Sequence, residues 1–465
     1  MATMRTETDS MGSMEVPADA LYGAQTARAV QNFPISGWTM PREFIGALGL
    51  VKQAAAMVNR DLGLLEDEIA KAIIRASEEV INGEHDDQFV VDVFQTGSGT
   101  STNMNANEVI ANRAVQILGG QLGDKSRVHP NDHVNRSQSS NDVIPTALHI
   151  AAATEIHHGL VPELRSLRDA IAAKSEQFNS VVKVGRTHLM DAVPIRLGQE
   201  FGGYAVQLEN GLSSLGGAVG WLCELPLGGT AVGTGLNCPE GFAEATCHII
   251  ASQTNLPFRP ARNRYECIAT KDAALFASSA LRSVAVSMGK IASDIRLMGS
   301  GPRCGLGELK IPAVQPGSSI MPGKVNPVIC ESVIQVACQV VGCDAAVVAG
   351  ATGGVGSILE LNVAMPMIAS NVITSARLLA NVSEVFEEKC IVGLEADAER
   401  CESLIEHSLA MITVLAPEIG YDAASEIAKE AFQQGRTVRE LCRERGVVDD
   451  QKLDELLNPR RQTGN

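Results

Sequence analysis

"DAALFASSALRSVAVSMGKIASDIRLMG" occupies residues 272 to 299, and its reading decides the fold. Leu281, Val284, Met288, Ile291, Ile295 and Met298 fall at alternating steps of three and four, a sustained heptad-like apolar seam. The other faces carry Ala277, Ala280, Ala285 and Ala292, small residues that let a second helix approach closely. The pattern predicts one helix from Asp272 to Met298, roughly 40 Å long at about 1.5 Å per residue. A helix so long and so apolar belongs to a bundle.

The neighbouring segments repeat the design. Leu160, Leu164, Leu167 and Ile171 keep the same spacing, with Pro162 placed to start or kink their helix. Asn326 and Pro327 predict an N-cap and first helical position. The helix that follows has one seam through Ile329, Val333, Val336 and Val340. A second runs through Cys330, Ile334, Ala337 and Val341. A helix apolar on two seams must be packed on two sides, so the bundle is expected to share its core between copies of the chain. Nearer the start, "EDEIAKAIIRASEEVING" sets Ile69, Ile73, Ala76 and Val80 at helical spacing, with Gly83 as a stop. From about residue 394 charge returns, as in "EADAERCESLIEH". The expected division is therefore a mostly helical domain with ligand loops over 1–137, a central bundle and oligomer core over 138–393, and a small helical domain over 394–465.

Composition supports this and excludes other classes. Of 465 residues 45% are hydrophobic but only 4% aromatic, so the core must be aliphatic, which favours helices. A net charge of -16 argues against a nucleic-acid partner, which needs clustered Lys and Arg. The 11 cysteines form no CxxC pair, and Cys338 and Cys343 lie in the apolar run "VIQVACQVVGCDAAVV". They read as reduced, buried thiols of a cytoplasmic protein. The first residues lack an apolar signal core, and no long uncharged apolar run predicts a membrane partner.

Three loops carry the chemistry. "TGSGTSTNMNANEVIANRA" (96–114), "NRSQSSNDVIPTALHI" (135–150) and "GSSIMPGKVNPVICESV" (317–333) each set hydroxyls or amides just before a helix. Taken singly, each is an ordinary N-cap. Together, with runs such as Ser139, Ser140 and Asn141, they describe anion sites at helix starts. Lys324 sits beside one such start with no acidic neighbour in sequence, and Gly317 and Gly323 would let that loop close. "VKVGRTHLMDAVP" adds Arg186, Thr187 and His188. "VHPNDHVN" adds His129, Asn131, Asp132 and His133, too sparse a set for a metal. With no nucleotide fingerprint, the expectation is acid–base chemistry on a small carboxylate, needing no cofactor.

The loop "GSSIMPGKVNP" resembles the signature of the fumarase/aspartase superfamily. The likeness extends from "VPADALYGAQTARAVQNFPIS" through "GGTAVGTGLN" and "GPRCGLGE" to "IGYDAASEIAKEA", and is closest to class II fumarate hydratases. It implies a mainly α, three-domain fold with a long-helix bundle shared in a homotetramer, and metal-independent interconversion of fumarate and (S)-malate in active sites built from several subunits. It also implies that Ser318 is the base, that His188 exchanges a proton with the leaving hydroxyl and that Glu331 orients His188. Lys324, Val325 and Asn326 would bind one carboxylate. Ser98, Gly99, Thr100, Ser139, Ser140, Asn141, Thr187 and Ser319 would hold the rest of the substrate. His129, Pro130, Asn131 and Asp132 match the family's second dicarboxylate site, where the usual arginine is replaced by Ser126, with Arg127 beside it. Aspartate ammonia-lyase is the nearest alternative: "HVN" and "DAVPIRLGQEF" would suit it, whereas "TGSGTS", "SQSSND", "GGTA" and "HPND" follow the hydratase pattern. A non-catalytic helical scaffold is the second alternative.

Overall fold

The computed structural model describes residues 3–464 and is mainly helical, as the seams predict. In chain order the first helices are α1 (Ala24–Asn32), α2 (Arg42–Asp61), α3 (Asp67–Ile81), α4 (Thr100–Ile117), α5 (Ser140–Thr154) and α6 (Val161–Gln177). They are followed by α7 (Leu197–Leu222), α8 (Phe242–Thr254), α9 (Arg264–Ala269), α10 (Asp272–Met298), α11 (Val328–Ala351) and α12 (Met365–Phe386). The strands are few and short. β1 (Met4–Asp9) pairs antiparallel with β2 (Gly12–Pro17), and β3 (Val182–Thr187) with β4 (Met190–Arg196).

The chain forms two compact units. One comprises Met1–Pro162, Gly211–Ala285 and Cys338–Ala380; the other comprises Glu163–Asn210, Val286–Ala337 and Asn381–Asn465. The boundaries fall inside α6, α7, α10, α11 and α12, so each of these helices contributes residues to both.

In the first unit α2 packs against α3, α5 and α8, burying Phe44, Leu48, Val51 and Ala55. Ile73, Ala76 and Val80 of α3 are buried as their spacing requires. The start of α1 is closed by a carboxylate from α4. Glu108 accepts from the backbone N–H groups of Gly23 (2.9 Å), Gln25 (3.0 Å) and Thr26 (3.1 Å), where an anion is favoured by the helix dipole.

In the second unit the C-terminal helices bury Ile405, Leu415, Ile427, Leu441 and Leu453 around Val184 of β3, which fixes the β3–β4 hairpin to that cluster. Leu164, Leu167 and Ile171 of α6 are wholly buried, and Pro162 falls where the wide turn Glu155–Leu160 runs on into α6.

The long helices show what a single chain covers. Every residue of the α10 seam is buried, and so are Ala277, Ala280, Ala285 and Ala292. On α11 Cys330, Val333, Ala337 and Val340 are buried, but Val341 is 42% and Val348 43% exposed. Cys338, expected to be buried, is exposed because the helical period turns it away from Val340 and Cys343; Cys304 is exposed as well. All 11 cysteines are free. By length and composition alone α11 would suffice to cross a membrane, although Glu331 and Asp344 interrupt its apolar run. Apolar residues on two faces raise its hydropathy to that level, while Asp344 on it is held by Ser278 and Arg282.

Candidate active site

The expected anion loops of the first unit are built around helix starts. Gly97 lies so close to the backbone of Val363 that a Cβ would fall 1.7 Å from its carbonyl oxygen, and Met365 donates its N–H to the Gly97 oxygen at 3.0 Å. Gly99 takes a left-handed conformation (φ +74°) as it caps α4, and a Cβ there would strike Ile144. These two glycines place Ser98 and Thr100, whose hydroxyls are 2.8 Å apart.

Ser139 caps α5 in a full capping box with Asp142. Buried Asp142 also accepts from Gly228 (3.0 Å) and Thr230 (2.8 Å), tying the "GGTA" loop to the "SQSSND" loop. Burial pushes its carboxyl up to about 6 despite these N–H groups and the Lys52 ammonium. Asn141 donates to the Ala231 oxygen at 2.8 Å, and Ser140 Oγ accepts from Asn103 at 3.1 Å. Both are only half-buried.

The "HPND" stretch is a turn of its own. His129 caps the short helix Pro130–Val134, its Nδ1 accepting from the N–H groups of Asn131 and Asp132. His129, Pro130 and Asn131 line a cavity of about 340 Å³ together with Lys125, Asp9 and Gln25. Asp132 does not line it. Ser126 is turned to Asp124 and Arg127 does not reach it, so Lys125 supplies the cation here. Sequence reading passed over Lys125; a basic residue one place from the expected position was the available signal.

The second unit holds the remaining candidates. Thr187 and His188 form the tip of the β3–β4 hairpin, a two-residue turn with φ of +55° at His188 and +62° at Leu189. Such a turn matches strand twist but normally takes Asn or Gly, so two ordinary side chains here are strained. Below it, buried Glu308 accepts from Arg186 at 2.8 and 3.0 Å and lies 3.4 Å from Lys183. Arg186 is thus committed to holding the hairpin rather than free for a ligand.

The loop from Gly317 to Asn326 is pinned at its neck and open at its tip. Gly317 donates to the Lys324 oxygen at 2.8 Å, and Asn326 Nδ2 donates to the Gly317 oxygen at 2.6 Å. Asn326 therefore closes the loop and is not the side-chain cap of α11. Glu331 N–H bonds the Pro327 oxygen, so the helix begins one residue later than expected. Ser318 Oγ accepts from the backbone N–H groups of Ile320 (3.2 Å) and Met321 (3.0 Å). Ser318, Met321, Lys324 and Val325 line a cavity of about 510 Å³, while Ser319 is exposed beside it. Among the described residues the Lys324 ammonium has no partner, and no hydrogen bond joins Glu331 to His188 within the chain.

Residues 12–342 match a lyase family model, and residues 411–464 match the Fumarase C C-terminus. The class II fumarate hydratase of Ralstonia nicotianae is 51% identical over 463 residues, covering 99% of this chain and 100% of the relative. That of Halobacterium salinarum is 55% identical, over 98% of this chain and 96% of its own. The chain belongs to the class II fumarate hydratase family. The class II fumarase of Schistosoma mansoni has the same fold, with a TM-score of 0.94 at 39% identity over 98% of each chain. Membership in the hydratase family sets aside both the ammonia-lyase and the scaffold alternatives.

Proposed function

We propose that this chain, as a class II fumarate hydratase, interconverts fumarate and (S)-malate, with Ser318 as the base. The observation that carries the assignment of the base is the environment of its hydroxyl. Two backbone N–H groups converge on Ser318 Oγ, six residues from an unpaired lysine. An alcohol is a weak acid in water, and N–H groups aimed at its oxygen favour the alkoxide that a base must be.

In the dehydration direction Ser318 takes a proton from C3 of malate. The electron pair of that C–H bond passes into the adjacent carboxylate, giving an aci-carboxylate carbanion. The pair then forms the C2–C3 double bond as the hydroxyl at C2 leaves, protonated by His188 directly or through water. Hydration is the reverse. Lys324, Val325 and Asn326 hold one carboxylate, with Ser319 beside them, and the charge of Lys324 makes a dianion the fitting ligand. Ser98, Gly99, Thr100, Ser139, Ser140, Asn141 and Thr187 hold the other end.

The working form is a homotetramer, in which Glu331 of one copy orients His188 of another. The exposed Val341 and Val348 of α11 support that assembly. His129, Pro130 and Asn131 form an auxiliary dicarboxylate site in which Lys125 replaces the usual arginine and Asp132 stands beside the cavity.

Replacing Ser318 by Ala tests the reading. A general base contributes about 10²–10⁴-fold, so kcat falls by that factor while affinity for malate stays near the wild-type value. An S318A enzyme with wild-type kcat would remove Ser318 from the mechanism.

A further inference from the structure

Behind the Ser139–Asn141 loop lies a buried cation that none of these roles employs. Lys52, on α2, is fully buried, and among the described residues its Nζ meets no carboxylate at ion-pair distance. Instead it donates to Asn135 Oδ1 and Gln138 Oε1, each at 3.0 Å. Asn135 Oδ1 also accepts from the Nδ2 groups of Asn103 and Asn107, each at 3.1 Å. The Asn103 Nδ2 group in turn donates to Ser140 Oγ at 3.1 Å.

The direction of these bonds follows from their first member. An ammonium is a donor only, so Asn135 must present its oxygen to Lys52. That oxygen then requires Asn103 and Asn107 to present their N–H groups, and the cost is visible: the Oδ1 atoms of both are buried without a partner. Asn103 therefore donates to Ser140, whose oxygen accepts. The Ser140 hydroxyl proton is left free to point elsewhere, as recognition of a carboxylate demands. Burial holds the Lys52 pKa down to about 7, with the Asp142 carboxylate opposing the shift.

We propose that Lys52 is a positioning residue for substrate binding, fixing through Asn135 and Asn103 the hydrogen-bond polarity that makes Ser140 a donor to the dicarboxylate. This rests on the reading that the Ser139–Asn141 loop holds one end of the substrate. A neutral side chain in place of Lys52 frees Asn135 to flip, and Ser140 then loses its enforced role.

The test compares Lys52→Met, Lys52→Gln and Ser140→Ala in steady-state hydration of fumarate, with thermal melting of each. Loss of one oriented hydrogen bond predicts that K52M raises KM about tenfold with kcat within a few-fold. K52Q, which retains an N–H donor, is expected to fall between K52M and wild type. S140A raises KM similarly, and K52M combined with S140A adds little, because both remove the same bond. A normal KM in folded K52M, beside a raised KM in S140A, would overturn the relay. A normal KM in S140A would instead overturn the loop reading on which it rests. If K52M does not fold, Asn103→Leu cuts the same chain nearer Ser140 and removes one orphaned oxygen. It must raise KM likewise, and a wild-type KM there would equally overturn the proposal.

Discussion

His149 and His188 show how one residue type serves opposite ends. His149, on α5, is buried, and its Nδ1 lies 2.8 Å from the Glu224 oxygen. Burial, with the Lys271 ammonium, pushes its pKa down to about 4. Unfolded, the imidazole titrates near its ordinary value of about 6.5. Between those values the unfolded chain takes up a proton that the folded chain refuses, so stability falls as pH drops through that window and is unaffected by this group above it. His149→Gln should therefore flatten the loss of melting temperature between pH about 6.5 and about 4. An unchanged slope would show that His149 is not responsible. Sequence alone could not separate the two histidines by environment. The flanking Thr187 and the strand-to-loop context pointed to His188, which is exposed at a hairpin tip. The loops were singled out because several hydroxyls and amides cluster before helix starts, more than capping alone requires: of Ser139, Ser140 and Asn141, only Ser139 caps α5. Lys52 and Lys125 were not, because their roles depend on contacts across 83 or more positions of chain for Lys52, and on a cavity for Lys125.

Among the elements, long helices were the most legible and irregular backbone the least. α10 runs from Asp272 to Met298, as its seam predicts, because six apolar positions and buried alanines leave no alternative register. The start of α11 was misplaced because Asn326 closes its own loop, a choice between local bonds that Asn-Pro spacing does not reveal. The wide turns Glu155–Leu160 and Glu387–Ile391 also left no sequence signal. The β3–β4 tip adds a testable strain. Left-handed backbone costs an ordinary residue about 1–2 kcal/mol, whereas Asn adopts it readily. Leu189 is 74% exposed, so Leu189→Asn gives up little packing within the chain. It should stabilise the fold by about 1 kcal/mol, read from denaturant unfolding. A destabilised L189N would mean that Leu189 is doing packing work beyond its own chain.

For the whole molecule, the two faces of α11 argue for assembly. Cys330, Val333, Ala337 and Val340, two from each seam, are buried in the chain, while Val341 and Val348 remain open. A homotetramer should elute at four times the chain mass of 49.1 kDa, and Val341→Glu should shift it to smaller species by placing a charge in an apolar interface. An unaltered size for V341E would put that seam outside the interface. The expectation of assembly came from a helix with more apolar surface than one chain covers; its geometry could not be read, since it depends on surfaces of other copies. The measurement closest to the centre of this picture is the loss of fumarate's ultraviolet absorbance after adding the purified protein, with and without ammonium. Equal loss in both samples, with malate as the only product, is the predicted result. Loss that requires ammonium, or no loss in either, would contradict it.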